Sequence, residues 1–213
     1  KLDNPPTSTG LKVSISELEK KIAGNKFLDL ENQLLQCFGS YLYNYSNIKL
    51  WVNGNQLDVT NAIKNVTDIP IEVDEIAGVH NLKIIEWINL STKQLLLCKD
   101  NGTVIKEVPN GVKKVKNFGY SFTAHLISSL VNEFNNESAI DLFELDNEGK
   151  ALLVQATIKL NQHFKEIKQQ ENFERLQRWK NEGIYPFEEQ EDMGSIEIAK
   201  REIFDIIASK VED

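Results

Sequence analysis

The sequence predicts an α+β fold: a mixed, mainly antiparallel sheet with packed helices, followed by a helical C-terminal part. Three observations carry this. Up to about residue 128, apolar residues come in short runs, several with period two, bounded by turn residues. Beyond residue 149 they recur every three or four positions instead. Asn53-Gly54 and Asp100-Asn101-Gly102 each sit between two such short runs, the signature of β-hairpins. Strands early and helices late argue for α+β rather than a doubly wound sheet. The domain reading is therefore residues 1–148 as an α+β domain and residues 149–213 as a helical extension.

The elements follow in order. Lys1–Thr9 is polar with two prolines and reads as a linker. Leu11, Val13 and Ile15 alternate with polar residues as a short strand, and Ser16 with Glu17 and Glu19 resembles a helix start. In Leu28–Tyr45 the residues Leu30, Leu34, Leu35, Phe38, Leu42 and Tyr43 form one apolar face of a helix, modestly weakened by Gly39. Ile48–Val52 is a strand entering the Asn53-Gly54 turn, beyond which Leu57 and Val59 continue. Further strands are expected at Ile69–Val73, Lys83–Asn89, Gln94–Lys99, Thr103–Val108 and Phe118–Ser128. Ser138–Leu145 fits neither period. Leu153, Ala156, Leu160, Phe164 and Ile167, then Phe173, Leu176 and Trp179, mark a long helix or two in tandem. Gly183 and Pro186 end it. Ile196, Ala199, Ile203, Ile206 and Ile207 define a last amphipathic helix.

Composition narrows the function classes. A chain of 213 residues buries about 70% of its unfolded surface and needs no disulfide or metal staple. The net charge of −8 and pI near 5.1 oppose a nucleic-acid-binding role for the whole and a polybasic membrane anchor. The apolar runs, such as that within Gln94–Cys98, are far too short to span a bilayer. With no targeting segment visible, a bacterial-type cytosol is the expected location. The chain opens on Lys1 and its single methionine is Met193, so an excised piece of a longer protein is expected. Cys37 and Cys98 lie in apolar surroundings and are expected as buried, reduced thiols. The N-x-S/T triplets at Asn44, Asn65, Asn101 and Asn136 would matter only in a secreted chain.

No complete active site is legible. His80, His125 and His163 lack zinc spacing and are expected as satisfied core or surface histidines. A nucleophile elbow, an H-E-x-x-H helix and a P-loop are all absent from the sequence. The acidic run Glu188, Glu189, Glu191 and Asp192 reads as a solvated loop. Two basic features are candidates for anion contact: the cluster Lys113, Lys114 and Lys116, and Lys150, which opens the long helix after Asp146-Asn147-Glu148-Gly149. Either would be an ordinary solvated lysine if nothing anionic meets it.

Several segments resemble a known family. Thr9-Gly10-Leu11-Lys12-Val13-Ser14-Ile15-Ser16-Glu17-Leu18 is similar to the G-T-x-V-x-V strand that closes the nucleotide-binding domain of GHKL ATPases, with Leu11 where that family has Thr. This is the superfamily of gyrase B, Hsp90, histidine kinases and MutL. Ile48–Val52 with Asn53-Gly54 resembles an "I-x-V-N-G" segment, and Gly119–Leu126 a "G-F-x-F-x-A-Y-L" strand, of Hsp90-like ATPases. Trp179–Phe187 and Ala199–Asp205 look like segments of bacterial Hsp90-like ATPases as well. The resemblance covers most of the chain through short motifs.

The resemblance implies a transducer, or middle, domain with a ribosomal-protein-S5-domain-2-like sheet, in which residues 1–20 are the linker and strand from an upstream ATPase domain. It implies ATP and Mg²⁺ as ligands of the longer parent, with the upstream ATPase domain and a homodimer of the parent as partners. The adenine-reading Asp-x-Gly-x-Gly turn is missing, so the fragment is expected to be catalytically silent alone. In the family the transducer lends a cation to the γ-phosphate, and by order along the chain that position falls on Lys150. The competing expectation is a protein-interaction module that uses the long helix and the acidic tail.

Overall fold

The computed structural model describes residues 30–52, 54–74, 76–116, 119–133, 143, 145–187 and 194–208. The strand expected at Leu11–Ile15, the helix start at Ser16, most of Ser138–Leu145 and the acidic run at residues 188–192 lie outside the described residues.

Helix α1 is Leu30–Asn44, strand β1 Trp51–Val52 and strand β2 Asn55–Gln56. Strands β3 to β7 are Ile63–Pro70, His80–Trp87, Lys93–Cys98, Val104–Glu107 and Phe122–Ser128. Helix α2 is Asn147–Asn181 and helix α3 Ser195–Ala208. The chain is α+β, with β1–β2 as a small hairpin and a five-stranded sheet in the order β3-β4-β7-β5-β6. Every neighbouring pair in the large sheet is antiparallel except β5 and β7, which run parallel. That pair arises because the chain leaves the β5–β6 hairpin and crosses through residues 108–121 to enter the sheet between β4 and β5.

The period-two pattern of the central strands assigns each face. Leu82 and Ile84 of β4, Leu95 and Leu97 of β5, and Phe122, Ala124 and Leu126 of β7 face α2, where Leu152, Ala156, Leu160 and Phe164 complete the main core. Each of these α2 side chains is fully buried, which contributes roughly 1.5–3 kcal/mol for a large apolar side chain. The opposite face holds a smaller cluster of Ala62, Ile85, Trp87 and Leu90 against Leu35 and Tyr43 of α1. Gly39 is what lets α1 approach: an added Cβ would sit 3.3 Å from the Trp87 ring. The glycine that weakens the helix as a helix thus allows its packing.

The structure corrects several sequence expectations. A strand expected at Ile69–Val73 is instead Ile63–Pro70, an edge strand paired to β4, with a register irregularity between Ile63 and Asn65 that breaks its alternation. The strand expected over Lys83–Asn89 starts earlier, at His80, and that expected from Phe118 starts at Phe122. The long helix is one continuous helix, not two. Cys37 is exposed rather than buried, because α1 turns Leu35, Gly39 and Leu42 inward and Cys37 outward; Cys98 is buried.

Candidate functional site

The N-terminal half of α2 is the scaffold of the site. Asp146 caps the helix, its carboxylate accepting the N–H groups of Glu148 and Gly149 at 3.0 Å. Gly149 sits beneath Phe143, where a Cβ would come within 2.1 Å of the Phe143 carbonyl oxygen, so only glycine fits. Lys150 follows, exposed, its N–H donating to the Asp146 carbonyl at 3.0 Å. At about 100° per residue, Lys150 shares a helix face with Val154, Thr157, Ile158 and Asn161.

That face meets the crossover loop after β6. Asn161 joins the two: its amide accepts from the Lys116 N–H at 2.6 Å and donates to the Lys114 carbonyl at 3.3 Å. Between loop and helix runs an apolar groove of about 430 Å³ lined by Leu95, Val108, Val154 and Ile158, with Lys113 and Lys114 at its mouth. Lys113 and Lys114 thus line the groove, and Lys150 stands one helical turn before Val154 of its wall. Among the described residues, no carboxylate partners Lys113, Lys114, Lys116 or Lys150. Unpaired ammonium groups in a chain of charge −8 attract anions, and those beside an apolar wall suit an anion with an apolar part. Lys150 itself is mildly disfavoured by the helix dipole, an effect offset by Asp146 and Glu148.

A second polar site lies on the opposite sheet face. His125 of β7 is buried under α1, where Ser40 Oγ lies 2.6 Å and Asn44 Nδ2 3.2 Å from its Nε2. With the Asn44 amide donating, Nε2 is the acceptor and the imidazole is neutral. A cleft of about 190 Å³ bounded by Tyr45, Lys83, Asn101 and Gly102 opens onto it. Burial, and then the nearby Lys83 charge, push the His125 pKa down to about 4, against the opposing Lys83 backbone hydrogen bond and Asp68 charge. A Ser–His pair of this sort looks like a nucleophile and its base, but an imidazole so depressed is a weak base at neutral pH. The pair reads as a helix-to-sheet clamp.

The third polar group ties α2 to the sheet. Glu86 of β4 lies 3.1 Å from His163 Nε2 of α2 and accepts from Asn65 Nδ2 at 3.2 Å. Burial raises the Glu86 pKa, but the hydrogen bonds from His163 and Asn65 and the charges of His163 and Lys64 outweigh it, so the net shift is downward. Further along α2, Glu171 accepts a short hydrogen bond from Tyr120 and pairs with Lys64 at 3.4 Å. All three histidines are thus core groups. Of them, His80 pairs with Ser128, Nδ1 to Oγ at 2.8 Å.

Among the described residues, no group of three or more His, Cys, Asp or Glu could hold a metal ion, and no helix is long and apolar enough to cross a membrane. Sequence reasoning found the lysines but missed the groove that Lys113 and Lys114 line, and it expected satisfied histidines without showing what satisfies His125 and His163. Their partners lie 85 and 77 residues away, which no local spacing shows. No protein-family model, curated protein or solved structure matches this chain.

Proposed function

We propose that this chain is the transducer-like middle region of a GHKL-type, Hsp90-like ATPase. It couples the nucleotide state of an upstream ATPase domain to movement of downstream helices and has no catalysis of its own. The observation that carries the reading is the placement of Lys150. It is an exposed cation without a carboxylate partner among the described residues, at the start of a helix whose first five turns bury one face against the sheet. A cation on so rigid a base, presented outward, suits a phosphate held by a neighbouring domain, where charge develops in the transition state. The rest of α2 extends beyond the sheet core and carries α3 at its far end, a geometry that transmits rigid-body movement. An S5-domain-2-like identity for the sheet, ATP and Mg²⁺ in the parent and a cytoplasmic location belong to this same proposal.

The test is Lys150→Ala in the longer protein. Turnover is expected to fall roughly 10²-fold, the scale of losing one well-placed transition-state donor, with ATP binding little changed. The isolated chain should bind no ATP by isothermal titration and, with Lys150→Ala, keep its stability within about ±0.5 kcal/mol. Unchanged turnover in the mutant, or micromolar ATP affinity of the isolated chain, overturns the reading. The second reading, an interaction module, is favoured by the exposed isoleucines of α3.

A further inference from the structure

The groove between the crossover loop and α2 has two chemically distinct parts. Its walls are Leu95, Val108, Leu153, Val154 and Ile158, of which Val154 and Ile158 are 56% and 49% exposed. Polar groups along those walls are already spent. Thr157 Oγ1 donates to the Leu153 carbonyl at 2.9 Å, the Gly111 N–H to the Val108 carbonyl at 3.0 Å and the Lys113 N–H to the Asn110 carbonyl at 2.9 Å. The side chains left to meet a polar group are those of Lys113, Lys114 and Asn110, all exposed. A Cβ on Gly111 would come within 2.9 Å of Val108 and 3.2 Å of Leu95, so the loop sits hard against the sheet and the groove is preformed.

The charge around the groove has one sign. At about 100° per residue, the face of α2 that carries Val154 and Ile158 also carries Lys150 and Lys165, whereas Glu148 and Glu166 lie about 120° around the helix from Val154. On the sheet side, Glu107 precedes Val108 but pairs in register with Leu96, so it lies on the opposite face from Leu95, where its carboxylate accepts from Gln94. Among the described residues, no carboxylate pairs with Lys113 or Lys114. In a chain of net charge −8 this is a local site of positive potential, which draws an anion. The apolar part of that anion is short, because Leu153 to Ile158 spans about 7.5 Å, little more than one helical turn. The groove volume of about 430 Å³ lies within the roughly 300–1,000 Å³ of small-molecule sites.

We propose that the groove binds a small amphipathic carboxylate. Its alkyl or aryl body, about one helical turn long, lies against Val108, Val154 and Ile158, and its head group is held by the Lys113 and Lys114 ammonium groups beside Asn110. The unpaired lysines select the charged head, and the apolar walls add the affinity that a bare anion lacks. Lys150, on which the ATPase reading rests, is not needed for this, so the two readings fail separately.

Titration of the isotope-labelled whole chain with octanoate, kept below micelle formation and followed by amide chemical shifts without nucleotide, tests this. Octanoate is expected to give saturable shifts centred on Gly111, Lys113, Val154 and Ile158. 1-Octanol, with the chain but no charge, and acetate, with the charge but no chain, should each bind roughly tenfold more weakly or worse. Lys113→Ala combined with Lys114→Ala should weaken octanoate by roughly tenfold or more, and the paired Arg substitutions should retain it. Val154→Glu, at an exposed position, should keep a cooperative melt and lose binding by a similar factor. The absence of saturable shifts with octanoate overturns the proposal. So do equal affinities for octanoate and 1-octanol, unchanged binding in the double Ala variant or in Val154→Glu, and shifts centred on the exposed isoleucines of α3 instead.

Discussion

His125 makes a quantitative prediction about stability and pH. The side chain is 1% exposed on β7, beneath α1, and its Nε2 is occupied as an acceptor by Ser40 and Asn44. Protonation would place a cation in a buried site beside Lys83 and turn Nε2 from acceptor to donor, against the Asn44 amide. Burial first and the Lys83 charge second lower the pKa from 6.5 to about 4. The unfolded chain takes up this proton near pH 6.5 and the folded chain only near pH 4. Between those values the unfolded state binds more protons, so stability falls as the pH falls. At about 1.4 kcal/mol per pKa unit, the full loss below pH 4 is about 3 kcal/mol, and about 2 kcal/mol is lost between pH 7.5 and 5.

Urea unfolding at half-unit steps from pH 7.5 to 5, followed by far-UV circular dichroism, measures this directly. His125→Gln has no charge to gain and keeps a polar amide under Ser40 and Asn44. It should be less stable than wild type at pH 7.5, with the gap narrowing by about 2 kcal/mol by pH 5. The difference between the two curves removes the contributions of His80, His163 and the carboxylates, which both proteins share. Parallel curves would refute the reasoning, and so would an imidazole titrating near 6.5 in the folded state by NMR.

Three further outcomes follow from other contacts. His163→Ala removes a buried hydrogen-bond partner of Glu86, 3% exposed, and should cost about 1–3 kcal/mol in urea unfolding at pH 7. Because the Glu86 pKa is lowered on folding, its share of stability is present above the ordinary carboxylate range and is lost as pH falls through the folded value, below the window used for His125. Gly149→Ala would gain up to about 1 kcal/mol in an unconstrained helix, but here its Cβ meets the Phe143 carbonyl, so the melting temperature should drop. A truncation ending at Asp146 removes Leu152, Ala156, Leu160 and Phe164 from the main core and should aggregate rather than melt cooperatively; a folded, cooperative sheet domain would instead place the boundary there.

What the sequence made legible tracks how local the determining physics is. The β5–β6 hairpin was readable because Asp100-Asn101-Gly102 supplies the turn and Gly102 takes a positive φ. The end of α2 was readable for the same kind of reason, since Gly183 adopts a positive φ just past the helix. Strand β3 was misplaced because, as an exposed edge with Lys64, Asn65 and Asp68, it has one lightly covered face and an irregular register. Trp87 sat in a recognised strand, yet nothing local revealed that Gly39 exists to receive it.

The candidate site obeys the same rule in a sharper form. Each lysine was visible as a residue type, Lys150 at a helix start and Lys113 and Lys114 in a basic run. The seat of the basic run beside α2 depends on the parallel β5–β7 pairing, which brings the chain after β6 back past β5 and holds Lys114 and Lys116 against α2 through Asn161. That pairing is a long-range choice among possible strand orders, and no dipeptide or period encodes it. It also explains why the groove is apolar: Val108, just past the edge strand β6, and Leu95 of the adjacent β5 are core residues, and Val154 and Ile158 lie next to the buried stripe of α2 on the same helix. A groove made by the rim of a core is exposed only as long as nothing covers it. Polar substitutions at the exposed Val154 or Ile158 should therefore change stability by no more than about 0.5 kcal/mol, whereas Leu152→Ala or Leu160→Ala, one helix face away, should cost about 2–5 kcal/mol in urea unfolding.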